Sequence, residues 1–270
     1  MLRAASLLCL DAPLVAVAWQ ALFAHAFGAQ LVTAARGALF LTTWAIYLFD
    51  RLADGASLRD TMPMSGRQRF ARRHRSGGVV LLGMVGVLDL AVVAHLSPRL
   101  LFGGASVGWL CMAYLWVNRS ADRTWGWLPI KELSIGVLFA LGTVAAIVPV
   151  LHTGFLPSVA LFGVLCATNC ATVAAWEGEL DARQGKTSLG TRWPRLEGKL
   201  FFLVGGVALA GWMTTLGLVP LAIGLPLTAA ALLLGLLHAT RRALAPDDRT
   251  ALADLALLVP VVPALLVCWR

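Results

Sequence analysis

Apolar residues in this chain come in long unbroken runs, separated by short polar segments rich in Arg, Gly and Pro. A helix needs about 20 such residues to cross the hydrocarbon core of a bilayer. Nine stretches qualify, near 12–34, 37–54, 78–96, 99–118, 129–151, 156–177, 199–217, 219–240 and 251–269. The pattern predicts an all-α polytopic membrane protein, with nine transmembrane helices forming one integral membrane domain over 1–270. The first run has no small-residue cleavage site and is interrupted early by Asp11, so it reads as a retained helix and not as a signal peptide.

Composition points the same way. The mean hydropathy is +0.79 and only 13% of residues are charged, where soluble domains carry roughly 25%. A net charge of +8 suits nucleic acid in a soluble chain, but in a membrane chain excess Lys and Arg marks the cytoplasmic loops. With a cytoplasmic N-terminus, nine crossings leave only Arg36, Arg99 and Arg270 on the far side. That asymmetry explains the charge without nucleic acid. The expected setting is a bacterial inner membrane with the functional face cytoplasmic. The five cysteines are scattered without metal-type spacing and read as small apolar residues.

Chemistry enters at the end of the sixth run, in WEGELDARQGKTSL over 176–189. Glu177 and Asp181 are four apart, so on a continuing helix they share a face about one turn from each other. Such acids repel, and beside lipid they are costly unless they face a polar interior with a partner. A second pair of the same spacing, Asp50 and Asp54 in YLFDRLADG, ends the second run. One carboxylate at a wet helix end is unremarkable. Two spaced pairs on one side of the membrane, each followed by a loop rich in Arg, Lys and Gly, suit Mg2+, which takes carboxylate oxygens and substrate phosphates. Their positions four helices apart suggest a pseudo-repeat, helices 1–4 and 5–8, with a ninth added.

Basic residues placed to neutralise a diphosphate are Arg51, Lys131, Arg183 and Lys186. Lys131, beside Glu132 in WLPIKELSIG, either snorkels to the surface or reaches into the site. The arginines of RQRFARRHR over 67–75 read as a solvated or headgroup-binding loop, with His74 among them.

These residues resemble the UbiA superfamily of intramembrane prenyltransferases. Asp50, Arg51 and Asp54 match part of its first motif, Asn-Asp-x-x-Asp-x-x-x-Asp, near the end of helix 2. Glu177, Asp181, Gly185, Ser188 and Leu189 match its second motif after helix 6, and Lys131 matches its lysine at the start of helix 5. The chain departs from the pattern where Ile46 and Tyr47 stand for Asn-Asp, and where Glu177 stands for an aspartate. The resemblance implies Mg2+-dependent transfer of a prenyl group from a prenyl diphosphate to an acceptor, typically an aromatic ring, in the lipid bilayer. It assigns Asp50, Asp54, Glu177 and Asp181 to the metal and Arg51, Lys131, Arg183, Lys186 and Tyr47 to substrate. Trp44, Tyr47, Trp116 and Trp176 are expected walls for the developing cation. The same metal site serves a membrane terpene cyclase, while a transporter or a non-catalytic member is the reading from another class.

Overall fold

The computed structural model describes residues 2–59, 61–120, 130–147 and 153–268, and these are helical with no strand among them. In chain order the helices are α1 (Leu2–Leu7), α2 (Asp11–Ala26), α3 (Thr33–Ser57), α4 (Gly66–Arg73), α5 (Arg75–Val93), α6 (Pro98–Ser120), α7 (Ile130–Val144), α8 (Phe155–Arg183), α9 (Leu189–Arg192), α10 (Leu196–Thr214), α11 (Leu221–Thr240), α12 (Pro246–Leu258) and α13 (Val261–Cys268). Six of the helical runs are long and apolar enough to cross a membrane: α5, α6, α8, α10, α11 and the α12–α13 run. Several apolar helices of this length are compatible with an integral membrane protein.

Each of the nine apolar stretches overlaps a helix among the described residues, but α2, α3 and α7 are not among the six candidate spans, and the last stretch is divided between α12 and α13. The 16 residues of α2 reach only about 24 Å at 1.5 Å per residue. The described part of α7 has 15, and the expected 129 and 148–151 lie outside the described residues, as do Arg123 and Arg270. The 25-residue α3 is long enough but carries Arg36, Asp50, Arg51 and Asp54. The last stretch begins earlier than its apolar run, at Pro246, because Pro at the first turn fits a helix start and Asp247 and Asp248 favour its positive end.

The core lies where α2, α7, α8, α11 and α12 meet. Trp19 stacks on Phe162 at 4.4 Å between ring centres and donates its indole N–H to the Leu257 carbonyl at 3.0 Å. An aromatic cluster of Phe23, Phe27 and Phe155 continues the contact. Backbones come closest between α7 and α8: a Cβ on Gly136 would lie 2.3 Å from the Gly163 carbonyl oxygen. Only glycine permits that approach. By contrast α5 and α6 turn large apolar side chains outward, among them Leu90, Phe102, Trp109 and Trp116. Outward apolar faces of this kind suit lipid contact.

Candidate functional site

Both acid pairs lie within roughly the last two turns of their helices, Asp50 and Asp54 before α3 ends at Ser57, Glu177 and Asp181 before α8 ends at Arg183. Past α8 the chain reverses sharply. Gly185 adopts φ +67°, a left-handed conformation that glycine takes without steric penalty. The Gly185 N–H donates to the Ala182 carbonyl at 3.1 Å and the Lys186 N–H to the Asp181 carbonyl at 2.9 Å, the paired bonds of a Schellman ending. This reversal sends Lys186 back across the helix end, where its Nζ donates to Asp54 Oδ2 at 3.1 Å. Ser188 then caps α9, its hydroxyl accepting from the Thr191 N–H at 3.4 Å.

The short α4 closes the other side. Ser65 and Gln68 form a capping box at its start, and its first N–H, on Gly66, donates to the Asp247 carboxylate at 2.9 Å. Gln68 exchanges side-chain amide bonds with Gln184, the last-turn neighbour of α8, and Gln184 also donates to the Pro63 carbonyl at 2.7 Å. So fixed, α4 directs Arg67 at Glu177, with 2.6 Å between Nη2 and Oε1. The Arg67 side chain is only 11% exposed against 30% for Glu177, so this pair is screened less than a surface bridge.

These contacts answer where the expected site residues go. Asp54 meets Lys186 directly, and Arg51 lies within electrostatic reach of Glu177 and Asp50, so the two acidic segments converge. Lys131 is close enough to act on Asp181 and also lines an apolar cleft of about 420 Å³ between α6 and α7, with Tyr114, Asn118 and Val137. Tyr47 sits half-buried against the small cluster of Cys9, Leu41, Leu48 and Val85. Ile46 is partly buried beside it. Arg183 stands away from the group, exposed and 3.9 Å from exposed Glu179.

The tryptophans fall in different places. Trp176 is buried and donates to His238 Nδ1 at 3.1 Å, packing α8 on α11. Trp44 donates to the Leu8 carbonyl at 2.8 Å, and Trp116 is 71% exposed on the outer face of α6.

Sequence reading missed four groups. Arg67 was placed in a solvated loop, because α4 has too few apolar positions to announce that one of its arginines turns inward. Asp11, Asn169 and Asp254 form a second polar cluster. Asn169 Nδ2 donates to Asp254 Oδ1 at 2.9 Å, and Asp11 lies within electrostatic reach of Asp254. The available signal was an aspartate inside the apolar run 251–269, since ionisable residues within membrane segments default to functional candidates.

The carboxylate oxygens are donors of the kind magnesium takes. Among the described residues, no three His, Cys, Asp or Glu side chains gather closely enough to hold a metal ion. Glu177 and Asp54 instead each engage a basic side chain, Arg67 and Lys186. The arrangement around the ends of α3 and α8 is thus two ion pairs, Arg67 with Glu177 and Lys186 with Asp54. Comparison with protein-family models, curated proteins and solved structures finds no match.

Proposed function

We propose that this chain is an intramembrane transferase that moves an isoprenoid group from its diphosphate to an acceptor, in a nine-helix bundle of the UbiA type. The observation that carries the reading is the convergence of the two acidic segments: Lys186, thrown back from α8, ion-pairs with Asp54 of α3. Nothing in the chain sequence forces residues 132 positions apart to meet, and a diphosphate site needs acids and bases in one place.

In this reading Arg51, Arg67, Lys131 and Lys186 neutralise the diphosphate oxygens by charge-assisted hydrogen bonds. Binding would draw Arg67 and Lys186 from their present carboxylate partners and free those carboxylates. Asp50, Asp54, Glu177 and Asp181 would hold Mg2+, which when bound supplies charge neutralisation for the leaving diphosphate. The apolar cleft beside Lys131 offers the isoprenoid chain a dry wall, and water kept from the reacting carbon cannot intercept it. With the N-terminus cytoplasmic, the acid ends of α3 and α8 face the cytoplasm, where soluble diphosphate is released.

The test is incubation of purified protein with allylic diphosphates of several lengths, with and without aromatic acceptors, followed by mass spectrometry. Magnesium-dependent diphosphate release is expected, and Asp50→Ala or Asp181→Ala should lower it by about 100-fold or more, the scale of a lost electrostatic stabiliser. Lys131→Ala should raise the apparent KM about tenfold, one charge-assisted hydrogen bond's worth. Full turnover in either aspartate variant would remove the diphosphate site.

A further inference from the structure

We infer that the outward face of α4 and the first turn of α5 bind the headgroup of an anionic phospholipid through Arg69, Arg73 and Arg75, and that the bound lipid holds α4 against the bundle. The cations of α4 divide by face. At about 100° per residue, Arg67 shares one side with the buried Gln68 and Ala71. Arg69 and Arg73 lie on the opposite side, both exposed. The inner side packs on α3, where a Cβ on Gly55 would stand 3.6 Å from the Ala71 Cβ and the Arg72 nitrogen, and Arg72 donates to the Leu58 carbonyl at 3.0 Å. Among the described residues, no ion pair involves Arg69, Arg73 or Arg75.

Three guanidinium groups so close repel one another and favour an anion between them. Arg69 and Arg73 are one turn apart, about 6 Å between Cβ atoms. Arg75 joins them because the two helices meet without a linker: the His74 N–H donates to the Phe70 carbonyl at 3.0 Å and the Gly78 N–H to the His74 carbonyl at 2.8 Å. No Asp or Glu occurs from Thr61 to Leu88, so this stretch of chain supplies no counter-charge of its own.

The surface just beyond identifies the anion as a lipid. Arg75 opens α5, a helix long and apolar enough to cross a membrane, so the cluster stands at the headgroup level of that span. Val79, one turn further on the same side, and Val80 are 54% and 60% exposed, and Met84, Val87 and Leu88 continue the outward apolar strip. A phosphate at the arginines lies directly above a strip that accepts acyl chains, which is the layout of a phospholipid and not of a free phosphate. A zwitterionic headgroup brings its own cation, so the cluster favours a net negative one. Binding also acts on α4 itself. Its eight residues are nearly all polar and too few to persist alone as a helix, yet they present Arg67 to Glu177. A ligand that binds only the formed helix stabilises it by mass action.

The full chain in detergent, titrated with dioleoyl phosphatidylglycerol or dioleoyl phosphatidylcholine and read by native mass spectrometry, tests the site. Each cation near an anionic surface contributes about fivefold, so phosphatidylglycerol should bind about 100-fold more tightly at low salt. The difference should shrink as ionic strength rises from roughly 0.01 to 0.15 M. R69Q/R73Q/R75Q should remove the preference. R192Q/R195Q/R242Q, the same loss of charge at exposed positions on other elements, should keep it within about twofold. Glycerol 3-phosphate, a headgroup without acyl chains, should not displace the lipid. In nanodiscs of the wild type, amide exchange over α4 should be about tenfold slower with phosphatidylglycerol than with phosphatidylcholine, and equal in R69Q/R73Q/R75Q.

Equal affinity of the wild type for the two lipids, which needs no variant to fold, would overturn the site. So would loss of the preference in R192Q/R195Q/R242Q, or displacement by glycerol 3-phosphate. Unchanged exchange over α4 would overturn the lipid's hold on that helix. None of these readouts involves a prenyl diphosphate, so the lipid site and the transferase reading stand or fall separately.

Discussion

At the scale of single residues, the backbone around the site is set by two left-handed positions. Gly185, at φ +67°, ends α8 and aims Lys186. Gly185→Ala should cost about 1–2 kcal/mol, the penalty of a Cβ in the left-handed region, and should weaken diphosphate binding because Lys186 loses its approach to Asp54. Thermal unfolding and a binding titration of the same variant separate the two effects. Cys9 holds the other, with φ 58 in the turn between α1 and α2. It is 1% exposed, and burial pushes its thiol above the ordinary 9.0, opposed by the neighbouring Arg51. A folded-state value above the usual one means the neutral thiol persists as pH rises. Maleimide labelling of Cys9 should therefore still be accelerating past pH 9.0 in folded protein; labelling that plateaus below that pH would contradict the buried position.

At the scale of elements, the site depends on how closely α7 approaches α8. Gly136 faces the Gly163 carbonyl and the Ala167 backbone, with no room for a methyl group. Gly136→Ala should destabilise the protein by about 1–3 kcal/mol, the usual cost of overpacking, and should displace Lys131 one and a half turns away. An unchanged melting temperature in detergent would mean that the helices are not so close. The same element scale explains α4. Its eight residues GRQRFARR are nearly all polar, so an isolated helix of this length is marginal in water. Its shape is imposed by the Ser65–Gln68 capping box, by Asp247 on its first N–H and by the Gln68–Gln184 amide pair. None of these partners but Ser65 is local in sequence.

At the scale of the whole molecule, the reading predicts that the loop bearing α4 and the α5–α6 turn lie on opposite sides of the membrane. In a cysteine-free background, Arg69→Cys and Ser97→Cys, both at exposed positions, should be labelled by an impermeant reagent from opposite faces of sealed vesicles. Labelling from one face would overturn the orientation and the count of crossings. With the acid ends of α3 and α8 on the face of Arg69, the site opens where the basic residues concentrate, as loop charge demands.

The sequence by itself determined where helices form and which residues carry charge into them. Runs of apolar residues longer than a bilayer is thick have few other solutions, since unpaired backbone groups are too costly in lipid. It also marked Asp50, Asp54, Glu177 and Asp181 by their four-residue spacing, which is a local property of one helix. What joined those pairs was decided only in three dimensions: Arg67 on Glu177, Lys186 on Asp54, and Asp11 with Asn169 and Asp254. Such pairings are between segments far apart along the chain, and their energy comes from helices packing through glycine contacts and aromatic faces. No spacing rule within a single segment encodes them.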